Sequence, residues 1–147
     1  MNLILQPCAN KVATHNFNET IINKDLKISS IANCLSNEDY ANLLEIYNNS
    51  TISVWGVKPT NYKKWDRISI GDIALFSGHG NIFAYGIVCY KMHSPKLAQF
   101  LWGTDADHTS WEYIYFLQET STVSIPYIDF NRAVGYNENN VIQGLSV

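Results

Sequence analysis

The hairpin pattern in residues 71–91 restricts the fold more than any other part of the chain. Gly71-Asp72 turns into Ile73-Ala74-Leu75-Phe76, the polar stretch Ser77-Gly78-His79-Gly80-Asn81 follows, and a largely apolar run covers 82–91. Two strand-like runs around a glycine-bearing tip predict a β-hairpin. Alternating, β-branched Thr51-Ile52-Ser53-Val54-Trp55 predicts a strand before it. Tyr113-Ile114-Tyr115-Phe116-Leu117 predicts a buried strand after it, and residues 125–128 predict another.

Helices fit around these strands. Ser36-Asn37-Glu38-Asp39 is a helix start, because the Ser36 side chain can accept a backbone N–H and the acids suit the positive end of the helix dipole. Leu35, Tyr40, Leu43, Leu44 and Tyr47 recur at helical steps, and Asn48-Asn49-Ser50 closes the helix. Ser94-Pro95 breaks the chain before a helical turn at 96–101, and 129–136 reads as a short helix stopped at Gly135. Over residues 1–27, Leu3, Ile4 and Leu5 suit a strand start, while Asn16, Asn18 and Asn23 mark turns. The closing Gly144-Leu145-Ser146-Val147 reads as the start of another strand, which suggests the front part of a longer protein. Together these elements predict an α+β, β-rich domain: a curved sheet or small barrel flanked by a few helices.

A chain of 147 residues suffices for one domain with its own core, without metals or disulfides to staple it. Cys8, Cys34 and Cys89 are odd in number and widely spaced, which suggests neither a disulfide framework nor a zinc site and points to a reducing, cytoplasmic setting. No basic flank with an apolar run marks a signal peptide or membrane span. A net charge of -3 argues against a uniformly basic nucleic-acid binder. Its distribution matters more: Lys58, Lys63, Lys64, Arg67, Lys91 and Lys96 lie between Trp55 and Phe100 against only Asp66 and Asp72. Aromatic residues make up 13% of the chain, and several sit beside glycines and polar residues where a plain core would not need them.

Ser53-Val54-Trp55-Gly56, then Leu75-Phe76-Ser77-Gly78-His79-Gly80-Asn81-Ile82-Phe83-Ala84-Tyr85-Gly86-Ile87-Val88, resemble the YTH and EVE branches of the PUA-like superfamily. Lys91-Met92-His93-Ser94-Pro95, Leu101-Trp102-Gly103 and Trp111-Glu112-Tyr113-Ile114-Tyr115-Phe116 continue the resemblance in the same order, so that it covers less than half the chain. It implies a single modified-base-binding domain over 1–147, in which aromatic side chains enclose a methylated base. Such domains target modification-dependent restriction proteins to DNA, and YTH proteins read N6-methyladenine in RNA. By position Trp55 is the first wall of the cage, Trp102 the second, and Gly56 offers backbone groups to the base edge. Trp111, Trp65 and Tyr85 compete for the third wall.

The same residues suit that chemistry physically. A flipped base needs apolar faces that regain the unstacking cost of a few kcal/mol, and an aromatic partner returns about 1–3 kcal/mol per base. Choice among bases must come from polar groups: the backbone at Ser53 and Gly56, and side chains such as Ser77, Asn81, Asp105 or Asp107. Lys58, Lys63, Lys64, Arg67, Lys91 and Lys96 are candidates for phosphate contacts, and the Gly78-His79-Gly80 tip can bring His79 or backbone N–H groups to a groove. The competing readings are packing for each Trp, a solvated loop for the basic cluster and a plain turn for the tip.

No nucleophile elbow, ordered Ser/His/Asp set or His-Glu-x-x-His helix is present. The expectation is a binder without catalytic residues, metal or cofactor, with any nuclease or AAA+ motor in another domain or partner and no membrane contact. Modified DNA is favoured over RNA. The alternatives are an RNA reader of the YTH kind, a small metal-dependent enzyme using Asp105, Asp107 and His108, and a protein-interaction domain whose aromatics dock a peptide.

Overall fold

A two-residue tip joins the central hairpin: His79 and Gly80 both have positive φ, 54° and 78°, and Gly78 pairs with Asn81 across it. Positive φ at both central residues matches the right-handed twist of the flanking strands. The computed structural model describes residues 1–140 and 145–147. Along the chain, β1 (Leu3–Pro7) is followed by α1 (Lys11–Phe17), a π-helical turn (Asn18–Ile22), α2 (Ile28–Ile31) and α3 (Asn37–Tyr47). Next come β2 (Ser53–Val57), α4 (Tyr62–Asp66), β3 (Ile73–Gly78), β4 (Asn81–His93), α5 (Pro95–Trp102), β5 (Tyr113–Pro126) and α6 (Tyr127–Val134).

The strands form one sheet in the order β1-β3-β4-β5-β2, with β1 parallel to β3 and the other pairs antiparallel. Register shifts recur along β4 and β5 at Ile82/Ala84, Tyr85/Ile87 and Val88/Tyr90. Each bulge bends the strand and sharpens its twist, so the sheet curls into a half-barrel. Gly86 sits at one shift, where a Cβ would stand 3.0 Å from both Leu117 Cβ and Thr120 Cγ2. The curl brings β5 back towards β1: the Tyr115 hydroxyl, fully buried, donates to Gln6 Oε1 at 3.1 Å across two intervening strands.

Alternation then sorts side chains between two cores. Trp55, Val57, Tyr115 and Leu117 point inward with Ile4, Phe76 and Val88, and Phe17 and Ile21 pack against the same cluster. Ile52, Val54, Ile114 and Phe116 point outward, under Ile28 and Ile31 of α2, Leu43 and Tyr47 of α3, and Leu97 and Ala98 of α5. β2 is consequently buried along its whole length. Its free edge is closed by Thr20, whose hydroxyl meets Val54 O and receives the Trp102 indole N–H at 3.3 Å.

The α+β curved sheet flanked by helices is the architecture expected from the sequence. The helix starting at Ser36 is also present, with Ser36 Oγ accepting from Asp39 N at 3.0 Å. Several boundaries differ. The strand expected at 125–128 ends at Pro126, which offers no N–H to a ladder and serves as the N-cap of α6, so that helix spans Tyr127–Val134 rather than 129–136. Residues 96–101 belong to a full helix capped by Ser94. Asn16 and Asn18 are not turns: Asn16 is buried in α1, and Asn18 opens the π-helical turn. Of the strand expected at 144–147, Gly144 lies outside the described residues, while Ser146 bridges Leu5 through bonds of 2.7 and 3.1 Å. No helix among the described residues is long and apolar enough to cross a membrane.

Replacing Thr20 with Val keeps the shape but leaves the buried Val54 O and Trp102 Nε1 without their partner. Urea denaturation is expected to show a loss of about 1–3 kcal/mol.

Candidate nucleic-acid interface

Past Val57 the chain leaves the sheet. Lys58 leads into a 3-10 turn (Pro59–Asn61) and α4, and a second loop, from Gly103 to Glu112, returns beside it into β5. Between them lies a cleft of about 270 Å³. Trp55, Gly56, Val57 and Lys58 form its floor, Thr60 and Asn61 one rim, and Asp105 and Trp111 another. Gln6 and Pro7 at the end of β1, with Asn10, Val12 and Ala13 at the start of α1, close the remaining side.

Trp55 borders this cleft and the inner core together. It is 4% exposed, with Phe76 edge-on at 5.3 Å and Phe17 at 6.3 Å. Its Nε1–H is buried and has no hydrogen-bond partner among the described residues. Gly56, next in the strand, faces outward. A Cβ there would lie 2.2 Å from Trp111 O and 2.6 Å from Trp102 Cζ3, so its bare Cα lets both tryptophan segments close on β2. Trp102 thus packs on the opposite face of β2 from Trp55, among the outer core residues, and does not border the cleft. Trp111, half-buried, is the tryptophan that shares the cleft with Trp55.

The rim is electrostatically tied. Lys58 Nζ bonds to Asp105 Oδ2 and, at 3.1 Å, to Asp107 Oδ2, and it stands 5.4 Å from the centre of the Trp111 ring. Burial works against the Lys58 ammonium, but the two carboxylates outweigh it and raise its pKa. The bond from Lys58 holds Asp105 below the ordinary carboxylate range, helped by the Ala106 N–H. For Asp107 the Thr109 hydroxyl and N–H come first, then Lys58, and the carboxyl is pulled down to about 2. Asp105 and Asp107 are therefore committed to an ammonium. Among the described residues, no group of three or more His, Cys, Asp and Glu side chains gathers as for a metal ion.

The remaining candidates lie elsewhere. Ser53 lines a second cleft with Tyr47, Ser50 and Thr120, its Oγ 3.4 Å from Thr120 Oγ1. Ser77 is buried near the hairpin tip, its Oγ without a partner among the described residues, and His79 and Asn81 belong to the tip itself. Tyr85 lies along β4, paired with Leu75 and Ser121. Lys91 donates to Ile68 O at 2.7 Å and stands 4.2 Å from the Trp65 ring centre; burial lowers its pKa, and it clamps α4 to the sheet. Lys63 and Arg67 are exposed on and just after α4, Lys64 is half-buried there, and Lys96 is exposed on α5. Cys8 is a core thiol pushed up to about 12 by burial.

Sequence reasoning missed Gln6, Asn10, Ala13, Thr60 and Asn61. Asn10 did carry a local signal, since its Oδ1 caps α1 by accepting from Ala13 N at 2.8 Å. Gln6 carried none, because only the curl brings β1 to this end of β2.

Two outcomes follow. Gly56→Ala drives a Cβ into a backbone carbonyl that cannot swing aside, so urea denaturation is expected to show destabilisation of about 1–3 kcal/mol or more. The carboxyl pKa values of Asp105 and Asp107 are depressed, that of Asp107 to about 2, so their tie to Lys58 is complete above the ordinary value of 3.8 and is lost as pH falls below it. Side-chain carboxyl NMR shifts, followed with the Trp111 indole signal, are expected to move together in that acid window and stay flat from pH about 5 to 7.

Compared with known proteins, the sequence matches no family model, and it matches no curated protein. Among solved structures the chain is similar to the N-terminal domain of Thermococcus gammatolerans McrB bound to m5C DNA, with a TM-score of 0.69 and 18% identity. The match covers 94% of this chain and 85% of that one. At that identity the likeness is one of fold: the curled five-stranded sheet with its flanking helices is an architecture shared with that domain.

Proposed function

We propose that this chain is a modified-base reader: a binding domain that takes a methylated base, flipped out of DNA in preference to RNA, into the cleft between Trp55 and Trp111. The observation that carries this reading is the cleft itself, lined by Trp55, whose buried indole N–H has no partner among the described residues, by the half-exposed Trp111 and by Lys58. An unpaired buried donor costs about 1–3 kcal/mol, which a bound acceptor recovers. The volume lies just under the range of about 300–1,000 Å³ usual for small-molecule sites, which favours one planar group over a dinucleotide cofactor. A fold shared with a domain solved on m5C DNA supports the choice of DNA.

Trp111 is then the open stacking wall. Trp55 contributes an edge and a donor, since Phe17 and Phe76 already pack against its ring. Lys58 lies where a phosphate can compete for it with Asp105 and Asp107. By this reading the chain is the targeting part of a modification-dependent restriction system. Cutting or translocation belongs to a nuclease or AAA+ motor in another domain or subunit, because Asp105 and Asp107 are engaged with Lys58 rather than left to catalysis.

Fluorescence anisotropy with short DNA and RNA oligonucleotides carrying 5-methylcytosine, N6-methyladenine or no modification tests this directly. Modified DNA is expected to bind tightest, with affinity falling as salt rises. Trp111→Ala is expected to weaken it by about 1–3 kcal/mol. Equal binding of every oligonucleotide, or no binding at low salt, would overturn the reading.

A further inference from the structure

A second aromatic surface adjoins the cleft and is not needed to close it. Asn61 ends the cleft's rim, and the next residue, Tyr62, starts α4. Val57 on the cleft floor pairs in the sheet with Tyr113. Tyr62, Trp65 and Tyr113 thus cluster at the cleft's flank, with ring centres 5.1 Å (Tyr62 to Tyr113), 5.2 Å (Trp65 to Tyr113) and 6.3 Å (Tyr62 to Trp65) apart. Trp65 is anchored by its Nε1–H to Ile114 O at 3.1 Å and by Lys91 against its ring, while His93 stacks on Tyr113 at 4.4 Å.

The cluster is rigid at its base and open at its top. Tyr62 keeps 45% of its surface in water and its ring contacts are the other two aromatics, so it serves neither core. Lys63, Lys64 and Arg67 follow Tyr62 on the same short segment, against only Asp66 over the same six residues. Among the described residues none of the three forms an ion pair. Fixed aromatic faces beside unpaired cations suit a polymer that alternates planar bases with phosphates. A neutral peptide or lipid surface would gain from the rings but not from the cations, and an anionic one would meet the cations but brings no succession of planar groups to stack on the fixed rings.

We propose that this surface is a stacking platform for an unpaired nucleotide adjoining the base held in the cleft, with Lys63, Lys64 and Arg67 meeting its phosphates. The proposal rests on the cleft being a base site. It makes the protein favour its target where the neighbouring nucleotide is unpaired, as beside a bulge or in single strand.

The test uses the full chain and two DNA probes containing 5-methylcytosine: a perfect duplex, and the same duplex with one unpaired nucleotide next to the modified base. Wild-type protein is expected to bind the bulged probe more tightly, on the order of ten-fold. Tyr62→Ala is expected to erase that gain while leaving the duplex affinity and the thermal midpoint unchanged, and Tyr62→Phe to keep it. A Tyr62→Ala variant that retains the gain, or a wild type that binds the duplex but gains nothing from the bulge, overturns the platform and leaves the base reader standing. Failure of the wild type to bind either probe, whether built with 5-methylcytosine or with N6-methyladenine, removes the base-reader reading and the platform with it.

Discussion

The long β4–β5 pairing governs the molecule. Strands of this length in unbroken register would make a gently twisted ribbon with no sharp bend to enclose one face. Three register shifts bend it, and the bend creates an inside and an outside. The hydrogen bond from Tyr115 to Gln6 spans the inside, and it can form only because the sheet has curled far enough to bring its fifth strand opposite its first. From that closure follows the segregation of the two cores and the burial of β2 on both faces.

The cleft is a by-product of the same geometry. An edge strand that is buried on both sides still has an open end, and three segments distant in sequence meet there. Gly56 permits the meeting, because any side chain would collide with the Trp111 carbonyl and the Trp102 ring. One tryptophan serves as core and cleft wall, a second covers the outer face and a third stands at the rim. Their roles differ because Trp55 and Gly56, neighbours on a strand, face opposite sides, and the end of α5 and the loop after it close on the Gly56 side.

The central hairpin, the helix from Ser36 and the aromatic strand at 113–117 were legible because each carries its pattern locally: a glycine tip, a cap, an alternation. The N-terminal segment was legible only as a strand start, not in its pairing. Leu3, Ile4 and Leu5 are a short apolar run, and their parallel pairing with β3 is a contact across about seventy residues that no local pattern encodes. Pro126 shows the opposite failure. The apolar run at 125–128 predicts a further strand, but the missing N–H and fixed φ of Pro126 make it a helix start.

For the candidate site the division is similar. Sequence alone determined the residue types: the Trp55-Gly56 pair, the acids of the loop after Trp102 and the basic stretch around α4. It also determined that Trp55 and Gly56 point to opposite faces, since strand periodicity requires it. Only the tertiary structure decided which aromatic joins Trp55. The path of the 103–112 loop over β2 brings Trp111 to the cleft and leaves Trp102 on the far side of Gly56. It likewise turned Lys58 into a partner of Asp105 and Asp107, and Lys91 into a clamp on Trp65. Side-chain chemistry is written residue by residue, whereas which groups share a cavity depends on how the bulged sheet curls, and that is a property of all five strands together.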